Sequence, residues 1–369
     1  MQTHSGSIAN RFFHEFFPPP RFLEMPAVGL DISETAVSAI ELVRHKHGFV
    51  LGRFGQRALP PRSIEGGYVK DKEGVVRELR RLKDELKLDF VNASLPEEKA
   101  YLFRTTIPRV ADKEIREAIE FKLEENVPIR AVDATFDYTL ITETGYEGGD
   151  HLDVGVTAVP RKVVDTYREL VEAAGLFPLS FEITAEAVSR AVIAKGDRGT
   201  HLVVTIGARS TELFIVSEEV VHFTSTVAVG GTHITAAIAK HFSVSISEAE
   251  SIKREHTAFR DTKAMDLFMS FMHVVGALKD EVSKLSLYWQ MHKDANGEAG
   301  KKIDRVILCG KDAALAGFAD YFSLALEGGA EVASVWQNAF SFEDSIPKIA
   351  YDESLDYAAA IGLAIQRFA

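Results

Sequence analysis

The sequence predicts an α/β fold made of two related lobes around a cleft, with an inserted α+β subdomain. Three observations carry this expectation. The run Leu202 to Val216 reads as two β-rich arms flanking a tight turn centred on Gly207, bounded by turn residues and too short for a helix of its own. The same pattern occurs earlier, at Ala27 to Ile40, and laying Asp31-Ile32-Ser33 over Thr205-Ile206-Gly207 aligns apolar positions on both sides. Between Phe90 and Val159 the texture changes to short strands around one acidic helix, which reads as an insertion. Two related halves facing one another imply a cleft between them.

A phosphate fits the Gly207 turn. Glycine lacks Cβ, so it turns at positive φ and lets backbone N–H groups approach an anion. A second cradle is Gly230-Gly231-Thr232, whose N–H groups open a helix and share its positive dipole end. One such turn alone reads as an ordinary β-hairpin. Two copies plus a Gly-Gly helix start favour a binding cleft.

With 369 residues, 46% of them hydrophobic, the chain can bury a large core in two domains or one bilobed one. A formal charge of −12 argues against nucleic acid as a partner, since phosphate backbones are bound by positive surfaces. The lone Cys309 cannot form an internal disulfide and follows the apolar Val306-Ile307-Leu308, so it reads as a buried thiol in a reducing, cytoplasmic setting. The start Met1-Gln2-Thr3-His4 lacks a basic leader, and no window reaches the length of a membrane span.

In chain order, residues 1–25 form a Phe/Pro-rich extension. Ile8, Phe12, Phe13, Phe16 and Phe17 share one face of a short helix that Pro18-Pro19-Pro20 ends, either packing on the protein itself or touching a membrane surface or partner groove. Residues 26–92 make the first lobe, with strands to Val43 and at Phe49 to Leu51, a His45-to-Gly48 turn that reads as solvated, and a helix from Glu73 to Leu88. The insertion spans 93–159, with a helix capped at Asp112 and strands at Asp133 to Ile141 and His151 to Val159 around the turn Gly145 to Asp150. Lobe one continues over 160–200, with a helix from Arg161 to Ala174 ended by Gly175, the strand Phe181 to Ile183, and a small-residue helix, Ala185 to Ala194, that can cross between the lobes. The second lobe is 201–345, with a helix carrying Glu250 and Lys253 on one side, a long helix from Met265 to Gln290, a loop at Asn296-Gly297 and a buried strand at Arg305 to Leu308. Residues 346–369 return to the first lobe through the close-packing Ala358 to Ala364.

The two strand-turn-strand elements, Val229-Gly230-Gly231-Thr232, Glu250 with Lys253, Leu308-Cys309-Gly310 and the terminal Ala360-Ile361-Gly362-Leu363-Ala364 resemble the actin-like superfamily. Within it, Ala93-Ser94-Leu95-Pro96-Glu97-Glu98-Lys99-Ala100-Tyr101, Thr106-Ile107-Pro108 and the opening Phe16-Phe17-Pro18-Pro19-Pro20 resemble the PilM family of type IV pilus assembly proteins, relatives of the division protein FtsA. The resemblance implies ATP or ADP between the lobes, its phosphates held by the turns Asp31, Ser33, Glu34, Thr35 and Gly207, Ala208, Arg209, Ser210. Gly230, Gly231 and Thr232 would assist, adenosine would lie against Glu250, Lys253, Gly310 and Lys311, and Mg²⁺ would be held through water near Asp31. It also implies that the insertion helps bind the N-terminal cytoplasmic tail of a PilN-like inner-membrane protein, at the inner face of that membrane.

The chain departs from the family at Ser33, Ser38, Thr205 and Lys311. Ser33 and Ser38 stand where glycine and lysine are usual. Thr205 stands where a carboxylate would help orient metal and water, and its loss leaves Asp31 without an opposing partner. The expectation is an adaptor that couples the membrane-embedded pilus complex to the assembly machinery, with nucleotide as a structural or gating ligand and weak or no hydrolysis. Two alternatives are an active ATPase or small-molecule kinase, with Asp31, Glu182 or Glu186 as its base, and an FtsA-like filament tethered by the Phe-rich start.

Overall fold

The structure is a computed structural model that describes residues 27–45, 48–141, 151–255, 262–291, 299–324, 328–343 and 345–366. The aromatic segment Ile8 to Leu23, His47 and the loops Gly145 to Asp150 and Asn296-Gly297 lie outside them. Among the described residues no helix is long and apolar enough to cross a membrane.

The chain begins with β1 (Ala27–Ile32), β2 (Ala36–His45) and β3 (Gly48–Ala58), paired antiparallel. A small ribbon of β4 (Ile64–Glu65) and β5 (Tyr68–Val69) precedes helix α1 (Lys72–Leu86). The side chain of Asp71 accepts the Gly74 N–H at 2.9 Å and so starts α1; Lys87, in a left-handed conformation at φ 54°, ends it. Its Val75, Val76, Leu79 and Leu82 are buried, and the helix packs on β2 and β3. Each such side chain contributes roughly 1.5–3 kcal/mol when fully buried.

β6 (Phe90–Leu95) runs parallel to β1 and leads into the inserted subdomain: β7 (Tyr101–Pro108), α2 (Asp112–Asn126), β8 (Ala134–Leu140) and β9 (His151–Pro160). These strands form a three-stranded sheet ordered β7-β9-β8, and Ile115, Ile119 and Leu123 of α2 share a core with Ile107, Phe136 and Val156. Asp112 is the first helical residue rather than its cap. Ala111 holds the cap position, and the carboxylate of Glu114 reaches back to its N–H at 3.4 Å, which sets the start one residue earlier. Then α3 (Arg161–Ala173), β10 (Phe177–Ile183) and α4 (Thr184–Val192) complete the first lobe, whose sheet order is β10-β6-β1-β2-β3.

The second lobe repeats this plan with β11 (Thr200–Ile206), β12 (Thr211–Ser217), β13 (Val220–Val227), α5 (Gly231–Phe242), α6 (Ile246–Glu255), α7 (Thr262–Met291), β14 (Arg305–Cys309), α8 (Phe318–Ser323) and β15 (Ala330–Val332). Its sheet order, β15-β14-β11-β12-β13, matches the first position for position, with parallel and antiparallel pairs in the same places. Both hairpins turn after corresponding residues: Asp31 pairs with Ser38 and Thr205 with Glu212. This is the bilobed, duplicated fold with an inserted subdomain that the repeated hairpin predicts.

Helices α9 (Tyr351–Ser354) and α10 (Ala358–Ile365) end the chain, α10 packing on β1, β2, β6 and α4. A Cβ on Gly362 would lie 1.7 Å from the Ala187 carbonyl oxygen, so only glycine lets α10 and α4 meet this closely. Gly362→Ala is expected to destabilise the protein by about 2 kcal/mol in a denaturant melt, because the obstacle is backbone and cannot swing away. Unchanged stability would show that α10 does not seat there. The buried Cys309 thiol of β14, pushed up to about 12 by its burial, donates to the Leu355 carbonyl at 3.6 Å and is chemically inert there.

Candidate functional site

The two hairpin turns face a cleft of about 640 Å³ between the lobes. Its walls hold Asp31, Ser33, Glu34, Thr35, Gly207, Ala208, Arg209, Ser210, Gly231, Thr232, Glu250, Lys253, Gly310 and Lys311; Gly230 stands just behind. The structure therefore gathers in one place nearly every residue that the sequence nominates.

The turn amides are arranged for an anion. Ser33 N–H is used by the Ala36 carbonyl at 2.9 Å and Gly207 N–H by the Ser210 carbonyl at 2.9 Å. The amides of Glu34, Thr35, Ala208 and Arg209 carry no hydrogen bond to the described protein residues. At Gly230-Gly231-Thr232 the outcome differs from the expectation. Gly231 and Thr232 donate to the carbonyls of Gly207 and Ala208 at 2.9 and 2.8 Å, and Gly230 donates to His233 Nδ1 at 3.2 Å. These N–H groups brace the second turn rather than stand open to a ligand.

The glycines also act by close approach rather than by positive φ. A Cβ on Gly230 would lie 2.6 Å from the Gly207 carbonyl oxygen, and one on Gly231 would lie 1.9 Å from Asp312 Oδ2. Gly310 alone among the nominated glycines has positive φ, at 88°, where a Cβ would strike the Ile206 carbonyl oxygen at 2.2 Å. On the opposite wall Lys253 is buried, with Nζ 3.1 Å from Glu250 and 3.0 Å from Asp312. Thr235 Oγ1 donates to Glu250 at 2.7 Å, and the Lys311 N–H donates to Asp356 at 2.8 Å.

The cleft is acidic. Asp31, Glu34, Glu98, Glu212, Glu250, Asp312, Glu353 and Asp356 line it, against Arg209, Lys253, Arg254 and Lys311. Burial, opposed by a hydrogen bond from Ser94, raises Asp31 to about 6. Burial likewise pushes Glu98, Glu212, Asp312 and Asp356 upward. Hard carboxylate oxygens beside free turn amides fit a magnesium–polyphosphate better than a bare anion, because the cation supplies the charge these walls lack. Among the described residues no cluster of three or more His, Cys, Asp or Glu holds a metal by itself. A cation here would rely on Asp31, water and phosphate oxygens.

Sequence reasoning missed Glu212. Thr205 carries no carboxylate, as read, but its hairpin partner Glu212 brings one to the same cleft, with Oε2 buried and without a hydrogen bond to the described residues. Asp31 is therefore not the sole carboxylate beside the turns. Cross-strand register was the signal: the residue opposite Thr205 shares its face of the sheet. Glu97 was also missed. It is 3% exposed, accepts the Ala185 N–H at 3.1 Å at the start of α4, and burial raises it to about 7.

A second cleft, of about 530 Å³, lies between the inserted subdomain, α4 and β13. Phe103, Gly155, Val156 and Thr157 form its subdomain wall; Glu186, Arg190 and Ile193 face them. Glu182 and Glu186 both lie here rather than in the Asp31 cleft, and Arg190 engages both carboxylate oxygens of Glu182. Neither glutamate is placed to serve as a base beside Asp31. Helix α4 is a wall of both clefts, with Thr184 and Val188 on the first and Glu186, Ser189 and Arg190 on the second.

Comparison with known proteins agrees with this architecture. The profile of the family described as "Type IV pilus assembly protein PilM" matches residues 29–368. The chain is similar to the solved PilM-PilN type IV pilus biogenesis complex, at 22% identity and a TM-score of 0.73, over 93% of this chain and 98% of that one. It is also similar to the ethanolamine utilization protein EutJ from Carboxydothermus hydrogenoformans, at 17% identity and a TM-score of 0.57, over 95% of this chain and 90% of that one. Against MreB5 of Spiroplasma citri bound to ADP the identity is 14% and the TM-score 0.52, over 92% of this chain and 95% of that one. These neighbours share the actin-like fold. With a match that runs from the first strand through the last helix, the chain belongs to the family of type IV pilus assembly proteins described as PilM.

Proposed function

We propose that this protein is an actin-like adaptor of type IV pilus assembly that receives the N-terminal cytoplasmic tail of a PilN-like inner-membrane protein, at the inner face of that membrane. The observation that carries the reading is the cleft of about 530 Å³ between the inserted subdomain and α4, on a chain whose solved relative is a PilM-PilN complex. An extended segment suits such a cleft because its side chains can alternate between the apolar Ile141 and Val220 and the polar groups of α4.

ATP or ADP with magnesium would occupy the Asp31 cleft as a structural or gating ligand. The support is the set of free turn amides beside Asp31 and the solved relative MreB5 bound to ADP. Because α4 walls both clefts, ordering one would bias the other. Little or no hydrolysis is expected, since burial pushes Glu212, the carboxylate opposite Thr205, toward its neutral form, and Glu182 and Glu186 line the other cleft. The Phe-rich residues 1–25 would add a peripheral membrane contact.

A pulldown with the immobilised N-terminal cytoplasmic tail of a PilN-like inner-membrane protein from the same organism tests the reading. The full-length protein should be retained. Failure to bind both with and without magnesium–ATP would overturn the adaptor assignment.

A further inference from the structure

The second cleft holds a half-buried acid, Glu186, that no cation of the described residues pairs with directly. Thr157 Oγ1 donates to Glu186 Oε1 at 2.8 Å, and among the described residues Oε2 has no hydrogen-bond donor and no ion pair reaches the side chain. The cation on its own helix is committed elsewhere: Arg190 holds Glu182 and donates to the Gly362 carbonyl at 3.1 Å. From β7, Arg104 pairs with Asp153 at 3.0 Å. From β8, Asp137 accepts the Tyr138 N–H at 2.9 Å, and next to β13 Glu219 accepts the Gly196 N–H at 2.7 Å. His222 of β13, held toward its neutral form by burial, and Lys195, just beyond α4, complete the titratable lining; Glu97 and Glu182 act on Glu186 as like charges and Arg190 as an opposing one. Burial first, then the charge of Glu182, pushes Glu186 up to about 7.

We propose that the segment bound in this cleft carries a basic side chain, lysine or arginine, and that Glu186 receives its cation. This rests on the reading that the cleft holds a partner's tail, and it adds the chemistry by which that tail is selected. Folding has already taken part of the carboxylate's surface out of water while leaving Oε2 reachable, so an arriving ammonium or guanidinium meets an acceptor whose desolvation is partly complete. Thr157 fixes one oxygen and leaves the other for the partner. Around this point Ile141 and Val220 offer apolar walls to the neighbouring side chains of the segment. Pairing favours the ionised form, so binding near pH 7 should release a fraction of a proton, and affinity for the basic segment should fall as pH drops from 8 to 6.

The test is calorimetric titration of the full chain, as wild type and as Glu186→Gln, with the PilN-like tail peptide and with versions in which each lysine or arginine in turn is norleucine. Gln keeps the acceptor for Thr157, and the peptide variants leave the protein untouched. One replacement should weaken binding to wild type about tenfold and binding to Glu186→Gln less than about twofold. The proposal is overturned if no basic position matters, if the loss is equal in both proteins, or if Glu186→Gln binds the unaltered tail as tightly as wild type. A tail that binds neither protein overturns the partner assignment itself, and this inference with it.

Discussion

Gly155→Phe should abolish capture of the tail, weakening it by at least about a hundredfold, while leaving the melting temperature nearly unchanged. Gly155 sits within β9, opposite Arg104 on one side and Thr139 on the other. A Cβ there would meet only Ile141 Cδ1 at 3.7 Å and Val220 Cγ1 at 3.8 Å, both ordinary contacts, and its φ lies outside the left-handed region. Phenylalanine favours strands, so the backbone accepts it. Its ring would then stand in a cleft of about 530 Å³ where the tail has to lie. Gly155→Ala serves as the control and should bind nearly as wild type. A Phe variant that still binds tightly would place the tail elsewhere.

Asp31→Asn should move two measurements in opposite directions. Asp31 titrates near 6 in the folded chain against 3.8 in the unfolded one, because burial disfavours its charge. Between those values the folded form keeps a proton that the unfolded form has lost, so the group weakens folding as pH rises and its full penalty persists above pH 6. At about 1.4 kcal/mol per unit, that penalty is roughly 3 kcal/mol. Removing the charge should therefore stabilise the protein at pH 8 by about 1–3 kcal/mol and leave it unchanged near pH 4. Glu97 and Glu186, each raised to about 7, act in the same sense and keep wild type more stable near pH 5.5 than near pH 8. His222, lowered by burial, opposes them below its ordinary value. Meanwhile magnesium–ATP affinity should fall about a hundredfold or more as the cleft loses its cation ligand. Thermal melts across pH together with nucleotide titration read both effects. Destabilisation at pH 8 would show that Asp31 serves the fold rather than a ligand.

Much of the fold was legible because it is written twice. The Ala27 and Leu202 hairpins share a pattern that survives as identical strand order in two sheets, and local periodicity was enough to place α1 and α3. The first cleft was legible for the same reason, since turn residues stay where the strands end. What the sequence hid was long-range. Glu212 became visible only through its pairing with Thr205, and the tie between Glu97 and α4 joins residues 88 positions apart. The amides of Gly231 and Thr232 read as an open cradle until the folded chain showed them held by the opposite turn. Glu182, near the end of β10, and Glu186, on α4, sit close in sequence to Thr184 and Val188 of the first cleft, but neighbouring side chains of a strand or a helix point in different directions, and theirs is the other cleft.

Hydrogen exchange of the wild-type chain with and without saturating tail peptide tests the partner cleft most directly. New protection is predicted along β9 around Gly155, along α4 from Glu186 to Val192, and at Val220 to His222 of β13. Protection confined to other surfaces, such as α5 and α7, with these three segments exchanging as before, would contradict the assignment.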